Sequence, residues 1–169
     1  IAALSGIRLA DGVDPLHLAA YSVYMADATG VKPAGYSVTV PAFKTGNPAL
    51  DNRDANLNAD MLGYLNITHV ASAFPLENPG LELIRENKDV YVYRNTKAFP
   101  AAWVQEGDEL GSRIEGKPAR VVQYSPNIVS IQAEGPGTLV LADPMYPGWT
   151  ARVDGKKETI TAVGSLLSG

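Results

Sequence analysis

Residues 146–155 have the sequence Tyr146-Pro147-Gly148-Trp149-Thr150-Ala151-Arg152-Val153-Asp154-Gly155. Pro147 presets φ and Gly148 tolerates a positive φ, and the two together are typical of a β-turn. Asp154-Gly155 is typical of a two-residue hairpin, because a type I′ turn needs a positive φ at both central positions. Strand-like segments at 137–141 and 156–161 flank the stretch. It therefore predicts a β-meander whose central strand opens at Trp149.

Two further strand-like segments, at 119–124 and 127–134, precede this meander and are separated by turn residues. Within the second of them, apolar and polar residues alternate: Val129 and Ile131 against Ser130 and Gln132. One face of the sheet is therefore expected to be buried and the other to contact water. Short strands at regular spacing indicate a sandwich or a barrel. We expect an antiparallel, jelly-roll-like β-sandwich over residues 119–169.

Residues 1–104 have a mixed pattern that predicts an α+β portion with two helices and short strands. Asp14-Pro15 is typical of a helix start, apolar residues repeat at helical spacing up to Tyr24, and Gly30 is expected to end this helix. A second helix is expected over 57–65, ended by Asn66. Strands are expected at 36–40, 67–73, 81–85 and 89–93. The polar, glycine-containing segment 105–118 is expected to be a linker; the alternative is that both portions fold as one unit.

Composition excludes several classes of function. The chain of 169 residues is 46% hydrophobic and 19% charged, as in folded globular proteins. A net charge of -4 without any basic run excludes nucleic acid as a partner, since phosphate contacts need clustered Lys and Arg. The absence of cysteine excludes disulfides, thiolate zinc sites and cysteine nucleophiles. No stretch of 18 apolar residues is present to span a bilayer, and the start at Ile1 suggests a part of a longer protein.

No cofactor, metal or catalytic residue is expected. The sequence contains neither a Gly-x-Gly-x-x-Gly motif nor a phosphate loop nor a Gly-x-Ser-x-Gly elbow. Acidic and amide residues alternate before the second helix in a way that resembles a calcium loop, at Asp54, Asn56, Asn58 and Asp60. Ala59 and Leu65 stand where an EF-hand needs Gly and Glu. We expect a solvated loop that caps the next helix.

The aromatic residues supply the candidate binding site. Tyr146 and Trp149 flank the Pro147-Gly148 turn, and Tyr124 precedes Ser125-Pro126. Exposed aromatic rings on β-sandwiches stack on the C–H faces of sugars, so these three residues, with Asp154 in the adjacent turn, form the candidate ligand-binding set. The alternative is core packing, since aromatic residues dominate buried area. Core packing is the favoured interpretation for Trp149, and both interpretations stay open for Tyr146.

Three groups of motifs resemble the C-terminal region of YfhO-type bacterial membrane proteins. Asp11-Gly12-Val13-Asp14-Pro15-Leu16 resembles their Gly-Tyr-Asp-Pro-Leu segment. Leu62-Gly63-Tyr64-Leu65-Asn66-Ile67-Thr68-His69-Val70 is similar to their Leu-Leu-Asn-Val-Lys-Tyr-Val, followed here by Val90-Tyr91-Val92-Tyr93-Arg94-Asn95 and Phe99-Pro100. Tyr124-Ser125-Pro126-Asn127, Leu139-Val140-Leu141, Tyr146-Pro147-Gly148-Trp149 and Val153-Asp154-Gly155-Lys156 resemble their β-region. The motifs cover nearly the whole chain in the family's order.

The resemblance implies an extracytoplasmic domain at the cell membrane. YfhO-type proteins are multi-pass membrane proteins that look like lipid-linked-sugar-dependent glycosyltransferases. This chain would then be an accessory module without its own catalysis, and its partners would be a glycan or envelope polymer and the membrane portion of the parent chain. Ala101 departs from the Arg that often follows the Phe-Pro-type dipeptide. The family's sandwich also continues beyond the equivalent of Gly169; a truncated sandwich leaves an open edge, which predicts a homodimer.

Two other classes of function remain open from the sequence. The chain could be a purely structural or protein-interaction domain that packs on the membrane portion or on a partner. A contiguous exposed apolar patch would favour that alternative. A free-standing glycoside hydrolase would instead need two carboxylates at catalytic separation in a cleft, and no motif selects such a pair.

Overall fold

The computed structural model describes residues 7–10, 12–13, 18–32, 39–107, 117–164 and 166–169. The chain divides into two compact units, Ile1–Ala98 and Phe99–Gly169. The described residues contain two helices, and their strands pair antiparallel in five small sheets. The fold class is therefore α+β, as predicted. Among the described residues, neither helix has the length and apolar character needed to cross a membrane.

The first unit contains both helices and a three-stranded sheet. Its helices are α1 (Ala19–Thr29) and α2 (Ala59–Tyr64). Its strands are β1 (Gly12–Val13), β2 (Thr39–Val40), β3 (His69–Ser72), β4 (Leu81–Asn87) and β5 (Val90–Asn95). β1 pairs with β2, and the other three strands form a sheet in the order β3-β5-β4. The predicted hairpin is present, because β4 and β5 are joined by the turn at Lys88, where φ is 52°.

Helix α1 ends as predicted but packs through a different face. Gly30 is its C-cap in the left-handed conformation, with φ of 72°. The predicted apolar stripe, which included Val23 and Tyr24, is correct only in part: Val23 is exposed, and the buried residues of the helix are Met25, Ala28 and Thr29. The Tyr24 hydroxyl donates to the Met61 carbonyl oxygen at 2.8 Å, which helps to fix the packed face. The predicted start at Asp14-Pro15 lies outside the described residues.

Helix α2 is bounded by two asparagines. The Asn58 side chain caps its first turn by accepting a hydrogen bond from the Met61 amide at 3.1 Å. Asn66 ends the helical segment with a φ of 55°, which Asn tolerates better than most residues. Both asparagines therefore have structural roles, and the predicted helix-capping function of this loop is confirmed.

The polar loop before α2 is organised by Asp51. The Asp51 side chain is buried, and its Oδ2 accepts hydrogen bonds from the Thr45 amide, the Thr45 hydroxyl and the Gly46 amide at 2.9, 3.0 and 3.0 Å. A carboxylate that accepts several local hydrogen bonds stabilises a loop in the way that a backbone turn does. Within the part of the chain that the structure describes, no group of three or more His, Cys, Asp or Glu side chains could hold a metal ion.

Asn95 joins three segments of the first unit. Its side chain is buried at the end of β5. The amide nitrogen Nδ2 donates to the carbonyl oxygens of Ala59 at 2.9 Å and Ile67 at 3.0 Å. Its Oδ1 accepts from the Lys97 amide at 2.9 Å. One side chain thus satisfies backbone groups of α2, of the segment entering β3 and of the segment after β5.

The second unit is all-β in its described residues. Its strands are β6 (Ala102–Gln105), β7 (Lys117–Pro118), β8 (Arg120–Ser125), β9 (Ile128–Gln132), β10 (Thr138–Pro144), β11 (Ala151–Val153), β12 (Lys156–Glu158), β13 (Ala162–Val163) and β14 (Leu167–Ser168). Five of them form a sheet in the order β13-β14-β10-β6-β7. The hairpins β8-β9 and β11-β12 form two separate two-stranded sheets.

Trp103 lies at the centre of the second unit's core. It is 1% exposed, and Val140 and Leu167 from the same sheet are also fully buried. The indole Nε1 donates to Gln105 Oε1 at 2.8 Å, and Gln105 Nε2 donates in turn to the Gly107 carbonyl at 2.9 Å. The buried indole nitrogen therefore has a partner, as burial of a tryptophan requires.

The predicted meander is correct in its turns and wrong in its strand pairing. Gly148 has a φ of 101°, and Asp154 and Gly155 have φ of 50° and 81°, so both turns form as their residues indicate. In the described residues β11 pairs only with β12, because β6 and β14 already occupy the two edges of β10. Trp149 does not open a strand, since β11 begins at Ala151.

Candidate functional site

A hydrogen bond between Tyr124 and Asp143 connects the β8-β9 hairpin to the end of β10. The Tyr124 hydroxyl donates to Asp143 Oδ2 at 2.6 Å. This distance is typical of a hydrogen bond to an ionised carboxylate. The Tyr124 side chain is nevertheless 47% exposed, so its ring contacts solvent while its hydroxyl is held in place.

Two more exposed aromatic residues follow Asp143 in the chain. Tyr146 is 53% exposed and Trp149 is 43% exposed. The turn at Pro147-Gly148 between them brings their Cα atoms within about 7 Å of each other. The Met145 amide donates to the Leu166 carbonyl at 2.7 Å and anchors the start of this segment to the chain just before β14.

Core packing of Trp149 is therefore the wrong interpretation. The other tryptophan, Trp103, is the one that lies in the core, because it is part of β6 and this strand is buried on both of its faces. Trp149 lies in a turn segment outside the five-stranded sheet. A turn segment of this kind exposes at least one face of a large ring.

We define the aromatic surface as Tyr124, Asp143, Tyr146 and Trp149. Tyr146 lies three positions after Asp143, so their Cα atoms are at most about 11 Å apart. The surface combines apolar ring faces with a carboxylate that accepts hydrogen bonds. It can bind a ligand that has both C–H faces and hydroxyl groups. Asp143 was missed by sequence reasoning, because its hydrogen-bond partner lies 19 residues away and no local motif marks it.

Asp154, the fourth candidate residue, lies in the hairpin turn that follows β11. Its left-handed φ of 50° places it in the hairpin turn, where Arg152 Nη1 also donates to the Gly155 carbonyl at 3.0 Å. The three residues of β11 extend about 10 Å, so the turn lies well beyond the start of the strand. The structure gives Asp154 a turn-forming role.

An open cleft of about 420 Å³ lies at the other end of the β8-β9 hairpin. Its lining comprises Lys117, Pro118, Arg120, Gln132, Ala133 and Glu134. Arg120 and Tyr124 are four residues apart on β8, a separation of about 13 Å, so the cleft and the aromatic surface are distinct. Its lining has one carboxylate and no aromatic ring, and it therefore lacks the carboxylate pair that glycoside hydrolysis needs.

Tyr24 and Tyr64, both in the first unit, have raised pKa values for structural reasons. Burial, and secondarily the proximity of Tyr64, holds the pKa of Tyr24 well above its ordinary value. Burial, and secondarily the charge of Asp60, raises the pKa of Tyr64. Both tyrosines lie on the helices, and the Tyr24 hydroxyl donates to the backbone of α2. These shifts reflect desolvation at the contact between the helices and do not mark a reactive group.

Comparison of the chain with family models, with curated proteins and with solved structures finds no match. The side chains themselves must therefore indicate the function. In the described residues, the aromatic surface combines exposed rings with a positioned carboxylate, whereas the cleft is lined by charged, amide and small apolar side chains without an aromatic ring.

Proposed function

We propose that this chain is an extracytoplasmic accessory domain that contacts a glycan or an acceptor polymer beside the membrane portion of a glycosyltransferase. The domain would bind and position the polymer and would leave catalysis to the membrane portion. The proposal rests on one observation, that three exposed aromatic residues lie at the end of β10. Tyr146 and Trp149 follow this strand in the chain, and the Tyr124 hydroxyl contacts Asp143 on the strand.

Exposed aromatic rings are suited to sugars. A large ring face in contact with water gains free energy when an apolar surface covers it. Pyranose rings present such C–H surfaces together with hydroxyl groups. A carboxylate offers about four acceptor sites, and a sugar hydroxyl is a suitable donor for them. The aromatic surface therefore fits a neutral glycan better than it fits an acidic or a purely apolar ligand.

The hydrogen bond from Tyr124 to Asp143 favours binding in a second way. It restricts the ring of Tyr124 before any ligand arrives. Less rotational freedom is then lost on binding, so more of the contact energy contributes to affinity. A role in recognition would explain why this ring is positioned and yet left exposed.

We infer a jelly-roll-like β-sandwich for the second unit. All four residues of β6 are buried, although successive side chains point to opposite faces of a strand. Both faces of the five-stranded sheet must then be covered near β6. The β8-β9 hairpin is a candidate for the second layer, since the Ala119 amide just before β8 donates to the Ala102 carbonyl at 2.9 Å. Such sandwiches are common scaffolds for ligand-binding loops.

The location and the partner follow from the resemblance to YfhO-type proteins. Their motifs occur here in the same order, including the Tyr146-Pro147-Gly148-Trp149 turn that carries half of the aromatic surface. On this proposal the aromatic surface faces the cell envelope and the membrane portion of the parent chain supplies the active site.

Isothermal titration of the protein with neutral and anionic envelope polysaccharides tests the proposal. Trp149→Ala and Tyr146→Ala should each weaken binding at least about tenfold, which corresponds to about 1.4 kcal/mol. Tyr124→Phe keeps the ring, loses the hydrogen bond to Asp143 and should weaken binding less. Phe43→Ala removes an exposed aromatic side chain from the first unit and is the matched control. Binding that Trp149→Ala and Tyr146→Ala retain in full, or no binding of the wild-type protein to any polysaccharide, would overturn the proposal.

A protein-interaction domain is the second candidate, and one observation favours it. Leu83, Ile84 and Val90 are large apolar residues that are exposed on the β4-β5 hairpin of the first unit. Clustered exposed apolar side chains commonly mark contact surfaces. These residues belong to the first unit, and the aromatic surface belongs to the second.

A further inference from the structure

Among the described residues, strand β4 is a long and exposed edge strand. It has seven residues and forms one edge of the sheet β3-β5-β4. Leu83 is 48% exposed and Ile84 is 42% exposed. An edge of this length presents backbone groups to which another strand can pair.

The hydrogen-bonding pattern identifies which residues of β4 face outward. The Thr96 amide donates to the Gly80 carbonyl at 2.9 Å, so these two residues form a hydrogen-bonded pair. Such pairs alternate along an antiparallel ladder, which makes Glu82 and Arg94 the next hydrogen-bonded pair. Leu83 then directs its N–H and C=O away from β5, towards the open edge.

A β-bulge brings Glu82 and Arg85 to the same face of the sheet. The register shifts between Leu83 and Arg85, so that Glu82 pairs with Arg94 and Arg85 pairs with Val92. Arg94 and Val92 are two residues apart on β5 and therefore point to the same face. Paired residues share a face, so Glu82 and Arg85 flank Leu83 on one side of the sheet.

We propose that β4 pairs antiparallel with β4 of a second copy of this chain, about a two-fold axis at Leu83. The N–H and C=O groups of the two Leu83 residues would then bond to each other. The charges are self-complementary in this arrangement, because Glu82 of each copy lies opposite Arg85 of the other. Two three-stranded sheets become one continuous six-stranded sheet with an isologous interface.

The neighbouring charges favour a second copy over an unrelated strand. Glu82 Oε2 already lies 3.6 Å from Arg94 Nε in its own chain. Pairing would place the Glu82 carboxylate between the guanidinium groups of Arg94 in its own chain and Arg85 of the second copy. No like charges would then face each other across the paired strands at Glu82. Opposite charges across paired strands stabilise the pair, and like charges destabilise it. The interface is small, so the dimer should be weak and concentration-dependent.

The edges of the five-stranded sheet in the second unit are less suitable for this pairing. The outer strands of the five-stranded sheet, β7 and β13, have two residues each. Short edge strands resist pairing with another chain. The inferred dimer therefore uses a different edge from the one that the resemblance to YfhO-type proteins implies.

Charge reversal with complementation tests the dimer. Sedimentation equilibrium of the wild-type protein up to about 1 mM should give a monomer–dimer equilibrium. Glu82→Lys alone and Arg85→Glu alone should each weaken self-association at least tenfold, because each places two like-charged pairs in the interface. A one-to-one mixture of the two variants should dimerise again, since both interface pairs regain opposite charges in the mixed dimer.

Controls separate the proposal from general effects of charge. Glu158→Lys, which makes the same charge change on β12 of the second unit, should leave self-association unchanged. In the wild-type protein, hydrogen exchange of the Leu83 amide should slow as the concentration rises. A monomeric wild-type protein at all concentrations, or a mixture of variants that stays monomeric when both are folded by circular dichroism, would overturn the proposal.

Discussion

The side-chain nitrogen of Asn95 lies 2.9 Å from the carbonyl oxygen of Ala59, and this hydrogen bond ties the end of β5 to the first residue of α2. The same nitrogen also donates to Ile67, in the segment that enters β3. A helix of six residues has little stability of its own, so it depends on contacts of this kind.

Asn95→Ala should lower the free energy of unfolding by about 2–4 kcal/mol, because it leaves the Ala59 and Ile67 carbonyls without their partner. Asn87→Ala, at an exposed position of the same hairpin, should change it by less than about 0.5 kcal/mol. Urea unfolding followed by circular dichroism measures both. Equal stability of the two variants would show that water replaces the Asn95 amide without cost.

The two tryptophans should respond very differently to truncation. Trp103→Ala should cost about 3–5 kcal/mol, because it leaves a large cavity in the core and removes the indole N–H that donates to Gln105 Oε1. Trp149→Ala removes a side chain that is 43% exposed and should cost about 1 kcal/mol or less. Chemical unfolding of both variants checks the order, and a larger loss for Trp149→Ala would contradict the exposed position of that ring.

Tyr24 should make the protein less stable at high pH. Burial raises its pKa above the ordinary value of 10.0, so the unfolded chain releases this proton more readily than the folded one does. The stabilisation from neutral Tyr24 is therefore complete below pH about 10 and is lost as the pH rises above it. Unfolding free energies measured between pH 8 and 11 should fall more steeply for the wild type than for Tyr24→Phe. Parallel curves would contradict the burial of this hydroxyl.

Two variants of the hairpin turn, at Asp154 and Gly155, distinguish a structural role of Asp154 from a role in binding. Asp154→Asn should leave stability within about 0.5 kcal/mol and leave polysaccharide binding unchanged, because Asn tolerates the left-handed conformation at least as well. Gly155→Ala should destabilise the β11-β12 hairpin by about 1 kcal/mol, since its φ of 81° strains any residue with a Cβ atom. Thermal unfolding and titration of both variants test this. A loss of binding in Asp154→Asn would return Asp154 to the ligand site.

Local features of the fold could be predicted from the sequence. Gly30 ends α1, Asn66 ends α2 and Asp154-Gly155 forms a hairpin turn. These features are predictable because each needs a positive φ, which few residue types adopt. The order of strands in the sheets could not be predicted. β10 pairs with β6, more than thirty residues earlier in the chain, and no short-range signal selects that partner.

Three of the four residues of the aromatic surface are candidates from the sequence, whereas Asp143 and the burial of the rings could not be predicted. The sequence identified Tyr124, Tyr146 and Trp149, because aromatic residues beside turns are visible in any sequence. The sequence favours core packing for Trp149, but the burial of a ring depends on which strand edges and faces are already covered. The role of Asp143 depends on a contact between two different sheets, which only the folded chain brings together.

Both tryptophans, Trp103 and Trp149, lie in the second unit, and the first unit has none. Six of the eight tyrosines lie in the first unit, at positions 21, 24, 36, 64, 91 and 93. Indole fluorescence therefore reports on residues 99–169 alone, and tyrosine absorbance reports mainly on residues 1–98. The chain carries a separate natural optical probe in each half, so an unlabelled sample reveals in one denaturant series whether the halves melt together or one after the other.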